Sequence, residues 1–225
     1  MADGIVKVLG VPLPGVLAVV GCGGKTSLIG RLAGGYPDRR VLISPTTRMY
    51  PMRAGNADCL GVPCDETGKL KALPPGELAR LIPGYDLTLL EADGSRGLPC
   101  KGWREDEPVV PEYCSHTVGV VAMNGLGRAA TEETVCNLPL FLALTGLREG
   151  VAITAQALRD MICAPGGMFK NSVGERILLV NQVEDERTAD IAREFLRGVG
   201  CAHPGLFAKL LYGSVHHDSW REVNR

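Results

Sequence analysis

Excess charge of one sign, long apolar runs and closely paired cysteines are all missing from this 225-residue chain, and each absence removes a class of function. Lys and Arg total 24 against 25 Asp and Glu, a formal net charge of −1. With no long basic run to break that balance, neither nucleic acid nor an anionic membrane is expected as a main partner. No apolar stretch approaches the roughly 20 residues that cross a bilayer. The stretch from Met1 to Val20 lacks the charged and apolar regions of a signal peptide, so a cytoplasmic location is expected. None of the eight cysteines (Cys22, Cys59, Cys64, Cys100, Cys114, Cys136, Cys163 and Cys201) forms a C-x-x-C pair. That spacing is poor for zinc, and a cytoplasmic setting argues against disulfides, so most are expected as small buried residues. The four histidines, His116, His203, His216 and His217, show no metal-binding spacing. His216 and His217 are expected to be exposed or disordered near the chain end.

What is present is a core and a loop. A hydrophobic content of 45% over 225 residues can bury one substantial core, so a single α/β domain with a C-terminal helix–strand elaboration is expected. Val16 to Val20 read as a buried strand. Gly21, Cys22, Gly23 and Gly24 follow as a turn, and Lys25-Thr26-Ser27 opens a helix with Leu28, Ile29 and Leu32 on one side. Glycines let backbone N–H groups converge on an anion, and a helix N-terminus favours one. Lys25 is positioned to neutralise phosphates, and Thr26 to place its hydroxyl on Mg²⁺. Val19 stands where the usual G-x-x-x-x-G-K-[ST] loop has its first glycine, so the match is to the shorter G-x-x-G-K-[ST] form. A glycine-rich turn with a surface lysine is the plainer alternative. Cys22 fits a tight loop as a small residue; a helix N-terminus could instead lower its thiol pKa.

Downstream, Arg40 to Ser44 reads as a second strand, and its end carries Thr46, Thr47 and Arg48. Ligands of open α/β sheets sit beyond strand carboxyl ends, so Thr46 and Thr47 are candidates for the phosphates or metal, and Arg48 for an anion. Turn capping is the alternative for both threonines. Residues 52–73 show no strong period and are expected as a short hairpin or a flap. The strand Tyr85 to Glu91 closes with two carboxylates, Glu91 and Asp93, about 65 residues after the loop. One of them is expected to hold Mg²⁺ and the other to orient the nucleophile. Lys101 is a candidate phosphate or substrate contact. Further strands are expected at His116 to Met123, Arg176 to Asn181 and Leu206 to Tyr212. Helices are expected at 135–145, 154–162 and about 186–198, and residues 5–9 as a strand or strand-like arm. Asn181-Gln182-Val183-Glu184 stands where GTPases carry N-K-x-D. Gln for Lys and Glu for Asp leave ATP and GTP both open, and an ordinary acid-capped strand–helix junction is the alternative.

The ordered set G-C-G-G-K-T, S-P-T-T-R-M-Y-P, E-A-D-G-S-R-G-L-P-C-K, E-P-V-V-P and V-N-Q-V-E-D, from about residue 14 to 185, resembles the YqeC-type selenium-dependent hydroxylase accessory proteins. It departs at Ser44-Pro45, where that family usually carries a further Thr. The resemblance implies a P-loop NTPase fold, a mostly parallel twisted sheet with helices on both faces. It also implies a part in maturing selenium-dependent molybdenum hydroxylases, whose molybdopterin centre carries a labile selenium. By the same resemblance Gly21 to Thr26, Thr46, Thr47, Glu91, Asp93, Arg96, Lys101 and Glu107 are the site positions. An NTPase driving cofactor delivery is the leading expectation. A small-molecule kinase or ligase, activating a pterin, selenium or carboxylate substrate, is the competing one. A non-hydrolysing nucleotide sensor or scaffold is a third. A homodimer formed across the nucleotide, as in related P-loop proteins, is a further possibility.

Overall fold

Strand side chains alternate between faces, and that alternation divides this core in two. Leu17, Val19, Val41, Ile43, Leu87, Leu89, Val118 and Val120 share one buried cluster with Leu28, Ile29 and Leu32 of the helix after the glycine loop. Val16, Ala18, Val20, Leu42, Leu90, Val121, Leu178 and Val180 belong to the opposite cluster, with Leu158, Met161, Phe195 and Leu196. Strands buried on both faces read as continuous apolar runs, which is why they are legible in the sequence.

The computed structural model describes residues 4–64, 67–74 and 76–223. Its main sheet comprises β1 (Gly15–Gly21), β2 (Val41–Pro45), β3 (Asp58–Cys59), β4 (Leu87–Glu91), β5 (His116–Ala122), β6 (Glu175–Asn181), β7 (Lys209–Ser214) and β8 (Ser219–Glu222). The spatial order is β8-β7-β6-β5-β1-β4-β2-β3. Every neighbouring pair is parallel except β7 and β8. The helices are α1 (Ile5–Leu9), α2 (Lys25–Gly34), α3 (Glu77–Leu81), α4 (Leu138–Thr145), α5 (Ala155–Cys163) and α6 (Glu186–Ala202). From β1 the chain first builds β2, β3 and β4 to one side, then crosses to β5 on the other. That reversal leaves the carboxyl end of β1 at a switch point, where ligands of such sheets bind. No helix among the described residues is long and apolar enough to cross a membrane.

Several expected elements differ. Residues 5–9 are helical rather than extended: Ile5 and Leu9, four apart, are both buried on one side, and Gly10 closes the turn at φ 58°. Val135–Cys136 is a strand paired in parallel with Cys100–Lys101, so the helix expected from 135 starts only at Leu138. The helix expected to stop near 198 continues to Ala202. The last expected strand lies at Lys209–Ser214, and β8 with its buried Trp220 extends the sheet beyond it. Within 52–73, Val62–Pro63 and Leu70–Lys71 form the expected hairpin, and Leu70–Lys71 pairs on its other side with Arg48–Met49. Residues 65 and 66 of that stretch lie outside the described residues. Thr154 caps α5, accepting from the Ala157 N–H.

Candidate functional site

The glycine loop is tight because it packs against the ends of two neighbouring strands. A Cβ on Gly23, at φ 104°, would lie 2.4 Å from the Ala122 Cβ at the end of β5. One on Gly24, at φ 116°, would lie 2.5 Å from Asn181 Nδ2 at the end of β6. Asn181, nearly buried, donates from Nδ2 to the Gly23 carbonyl at 2.8 Å and accepts at Oδ1 from the Val215 N–H at 2.9 Å. This one side chain therefore ties the loop to the ends of β6 and β7.

The loop's N–H groups divide into two sets. Gly21 N–H donates to the Asp93 carboxylate at 3.1 Å, and Cys22 N–H donates to the Val120 carbonyl at 2.9 Å. Among the described residues no protein acceptor engages the N–H groups of Gly23, Gly24, Lys25, Thr26 or Ser27. Five consecutive donors, from Gly23 through the first turn of a ten-residue helix, are thus open to an acceptor from outside the protein.

Behind the loop lies a buried ionic cluster. Asp93 has no solvent exposure; Lys25 Nζ is 3.2 Å from its Oδ1 and Lys101 Nζ is 3.5 Å from its Oδ2. Trp103 Nε1–H donates to the same Oδ2 at 2.6 Å. Burial by itself would push the Asp93 carboxyl up, but Lys25, Lys101, Trp103 and the Gly21 amide together hold it below the usual aspartate range. Burial likewise opposes the Lys25 ammonium, and the Asp93 and Glu91 carboxylates raise it above the ordinary lysine value. Lys25 also donates to the Gly21 carbonyl at 2.6 Å. Lys101, fully buried, donates to the Gly94 carbonyl at 2.7 Å, and its Nζ is 3.0 Å from Glu107 Oε2 in a charge contact without hydrogen-bond geometry. Arg104 reaches the other Glu107 oxygen at 3.2 Å.

On the open side, Thr26 Oγ1–H donates to Glu91 Oε2 at 2.9 Å. Burial raises the Glu91 carboxyl above the glutamate norm, with Lys25 and the Thr26 hydroxyl opposing the shift. Two clefts meet at the loop. One, of about 560 Å³, is lined by Gly23 to Ser27, Glu91, Ser95, Arg96 and Asn124, and also by Arg48, Tyr50 and Lys69. The other, of about 750 Å³, is lined by Asn181, Gln182, Glu184, Ser214, His216 and Asp218, with Arg31 on the α2 side. Gly24, Ser27 and Gln182 border both.

The structure gathers most of the residues singled out in the sequence and redistributes their roles. Gly23, Gly24, Lys25, Thr26, Ser27, Glu91 and Arg96 line the first cleft; Asn181 and Glu184 line the second, where Ser214 Oγ donates to Glu184 at 3.2 Å. Asp93, expected at the metal or the nucleophile, lies wholly behind the loop because two lysines and an indole enclose it. Lys101, expected at phosphate or substrate, is sealed in the same cluster with Glu107. Thr46 and Thr47, expected at the phosphates, are absent from the cleft wall. Thr46 Oγ1 donates to the Val109 carbonyl at 2.6 Å, and the buried Thr47 hydroxyl has no partner among the described residues. Cys22 is fully buried, and burial, followed by the neighbouring Cys100, pushes its thiol well above the ordinary value. The helix-terminus effect considered for it does not prevail. Asp185 caps α6 in a reciprocal capping box with Thr188, the ordinary junction weighed for that segment. His216 and His217 are exposed in the turn between β7 and β8.

Sequence reasoning missed Trp103, Lys69 and Asn124. Trp103 carried a usable signal, since a buried indole N–H needs an acceptor. Lys69 and Asn124 carried none, because only chain folding brings their segments to the loop.

Magnesium favours hard oxygen ligands and typically takes one or two carboxylates plus substrate phosphates. The Thr26 hydroxyl and Glu91 carboxylate at the cleft floor fit that donor set. Among the described residues no group of three or more His, Cys, Asp or Glu forms a metal cage.

Comparison with known proteins agrees with the motifs. A family model described as YqeC protein matches residues 17–139, which span the glycine loop, the acidic strand and the Lys101–Glu107 segment. The uncharacterized protein YqeC of Escherichia coli (strain K12) is 32% identical over 182 residues, covering 70% of this chain and 71% of that protein. No solved structure matches. On the strength of that match and of the motifs it spans, the chain belongs to the YqeC family.

Proposed function

We propose that this chain is a magnesium-dependent nucleoside-triphosphate-binding protein of the P-loop NTPase class. The observation that carries the reading is the run of five unengaged N–H groups from Gly23 to Ser27, beside the Lys25 ammonium and the Thr26–Glu91 pair. The β- and γ-phosphates accept from those amides, and Lys25 moves from the Gly21 carbonyl to the phosphate oxygens. Thr26 and Glu91 hold Mg²⁺, which supplies charge neutralisation at the transferring phosphate. Asp93 keeps Lys25 charged and aligned from behind.

Charge sets the orientation. The first cleft carries Lys25 and Arg96 against Glu91, whereas the second offers Glu184 and Asp218 with Arg31. The triphosphate tail belongs in the first cleft and the nucleoside in the second. Resemblance to the selenium-dependent hydroxylase accessory proteins supports a role in maturing selenium-dependent molybdenum hydroxylases, with hydrolysis driving delivery of the molybdopterin centre.

The test is thermal stabilisation by ATP, GTP and CTP with and without Mg²⁺. A ligand at a hundred times its dissociation constant adds about 2.7 kcal/mol. In a domain of this size that raises the melting point by roughly 5–10 °C. Absence of any shift with all three triphosphates sinks the reading. Diphosphate and phosphate as sole products support an NTPase; a phosphorylated or adenylated third compound supports a kinase or ligase instead.

A further inference from the structure

Two cations on the first cleft, Arg48 and Lys69, have no role in the reading above. Arg48 sits on the short strand before Tyr50, Lys69 enters the hairpin strand beside it, and Arg96 follows the acidic strand at φ 54°. All three line the same 560 Å³ cleft as the glycine loop. Among the described residues none has a carboxylate within 4.0 Å, although ion pairs form elsewhere on the surface, as between Arg193 and Asp190. Lys69 instead places its ammonium 4.7 Å from the ring centre of Tyr50, which is 61% exposed. In the three-stranded arrangement of Arg48–Met49, Leu70–Lys71 and Val62–Pro63, Arg48 pairs with Lys71 and Lys69 directly precedes Leu70, so the two cations lie on neighbouring segments.

The cleft space exceeds what a triphosphate tail requires. Complete small-molecule sites span about 300–1,000 Å³, and each of the two clefts alone falls within that range. With a nucleoside in the second cleft, the triphosphate occupies only the loop side of the first. Magnesium, Lys25 and the helix end, worth about half an elementary charge, offset much of its charge. Arg48 and Lys69 then remain as further cations of the same cleft, with Lys69 acting electrostatically on Glu91.

We infer that Arg48 and Lys69, with Tyr50 beside Lys69, bind a second ligand: a small oxyanion-bearing compound held in the same cleft as the γ-phosphate. This rests on the reading that the glycine loop holds a triphosphate. Arg48 offers a fork of N–H donors suited to a planar carboxylate or a phosphate, and Lys69 a point charge. The exposed Tyr50 ring offers an aromatic surface to a flat group attached to the anion.

The experiment uses the full chain saturated with Mg²⁺ and a non-hydrolysable analogue of whichever triphosphate stabilises it. Inorganic phosphate and succinate are titrated separately by calorimetry, at constant ionic strength in chloride. A second saturable event with either probe, weakened by at least about tenfold in Arg48→Ala/Lys69→Ala while the analogue binds as before, is the expected result. Phosphate alone, succinate alone or both identify the kind of oxyanion taken. Neither probe binding the saturated protein overturns the inference and leaves the nucleotide reading standing. Equal loss of analogue affinity in the double variant also overturns it, because the cations then belong to the triphosphate site. Both side chains lie at the cleft surface rather than in the core, and Arg48→Gln/Lys69→Gln provides a second variant that keeps their length and polarity. No stabilisation by any triphosphate marks failure of the nucleotide reading itself, and the inference falls with it.

Discussion

Replacing Asp93 by Asn preserves the shape of a fully buried side chain while removing the charge between two buried ammonium groups, Lys25 Nζ at 3.2 Å and Lys101 Nζ at 3.5 Å. The amide keeps one acceptor for Gly21 N–H, but its nitrogen then faces a lysine or the Trp103 N–H, donor against donor. Removing one partner of a buried ion pair costs about 3–5 kcal/mol. Glu107 remains beside Lys101 and Glu91 near Lys25, so the lower end, about 3 kcal/mol, is expected. For a domain of this size that lowers the melting point by roughly 6–12 °C. Urea denaturation of both proteins, followed by circular dichroism between pH 3 and 8, measures it. Because the folded-state pKa of Asp93 is depressed, its stabilisation is complete above the unfolded value of about 3.9. It is lost only as pH falls through the still lower folded value. The difference between the proteins is therefore flat from pH 5 to 8 and shrinks below about 4. Combining Asp93→Asn with Lys101→Met should recover part of the loss, since one stranded ammonium is gone. A single variant within about 1 kcal/mol of the parent, or a gap that closes between pH 6 and 8, would refute the argument.

Glu91→Gln should abolish the Mg²⁺-dependent part of nucleotide stabilisation while sparing the metal-free part. In the parent that part should grow as pH rises through the Glu91 value, which burial places above the glutamate norm, because the metal competes with a proton there. Calorimetry with and without EDTA across pH 4 to 7 reads both. Asn181→Ala removes two buried hydrogen bonds, to Gly23 O and from Val215 N, and should cost about 1–3 kcal/mol while weakening triphosphate binding through the loosened loop. Gly24→Ala places a Cβ 2.5 Å from Asn181 Nδ2 at a φ of 116° and should produce the same loop defect, read by the same titration. Timed alkylation with peptide mapping should label exposed Cys201 first and leave Cys22 unmodified at pH 8 in the folded protein, since burial holds that thiol protonated. Rapid labelling of Cys22 would contradict the packing described for the loop.

By itself the sequence determined what local chemistry can write. Strands buried on both faces must be continuous apolar runs, so β1, β2, β4, β5 and β6 were visible within a residue or two. A glycine loop running into Lys-Thr is equally local, because only residues without Cβ tolerate φ near 104° and 116° against neighbouring strand ends. Short elements were not legible: the helix at Ile5–Leu9 and the strand at Val135–Cys136 depend on what they pack against, and propensity over a few residues is weak. Asp93 and Glu91 looked interchangeable as two carboxylates two residues apart. Tertiary structure alone separated them, burying Asp93 among Lys25, Lys101 and Trp103 and leaving Glu91 at the cleft beside Thr26. The charge of a carboxylate is written in the sequence; whether it meets a metal or a buried lysine is set by desolvation and by partners up to 72 residues away along the chain.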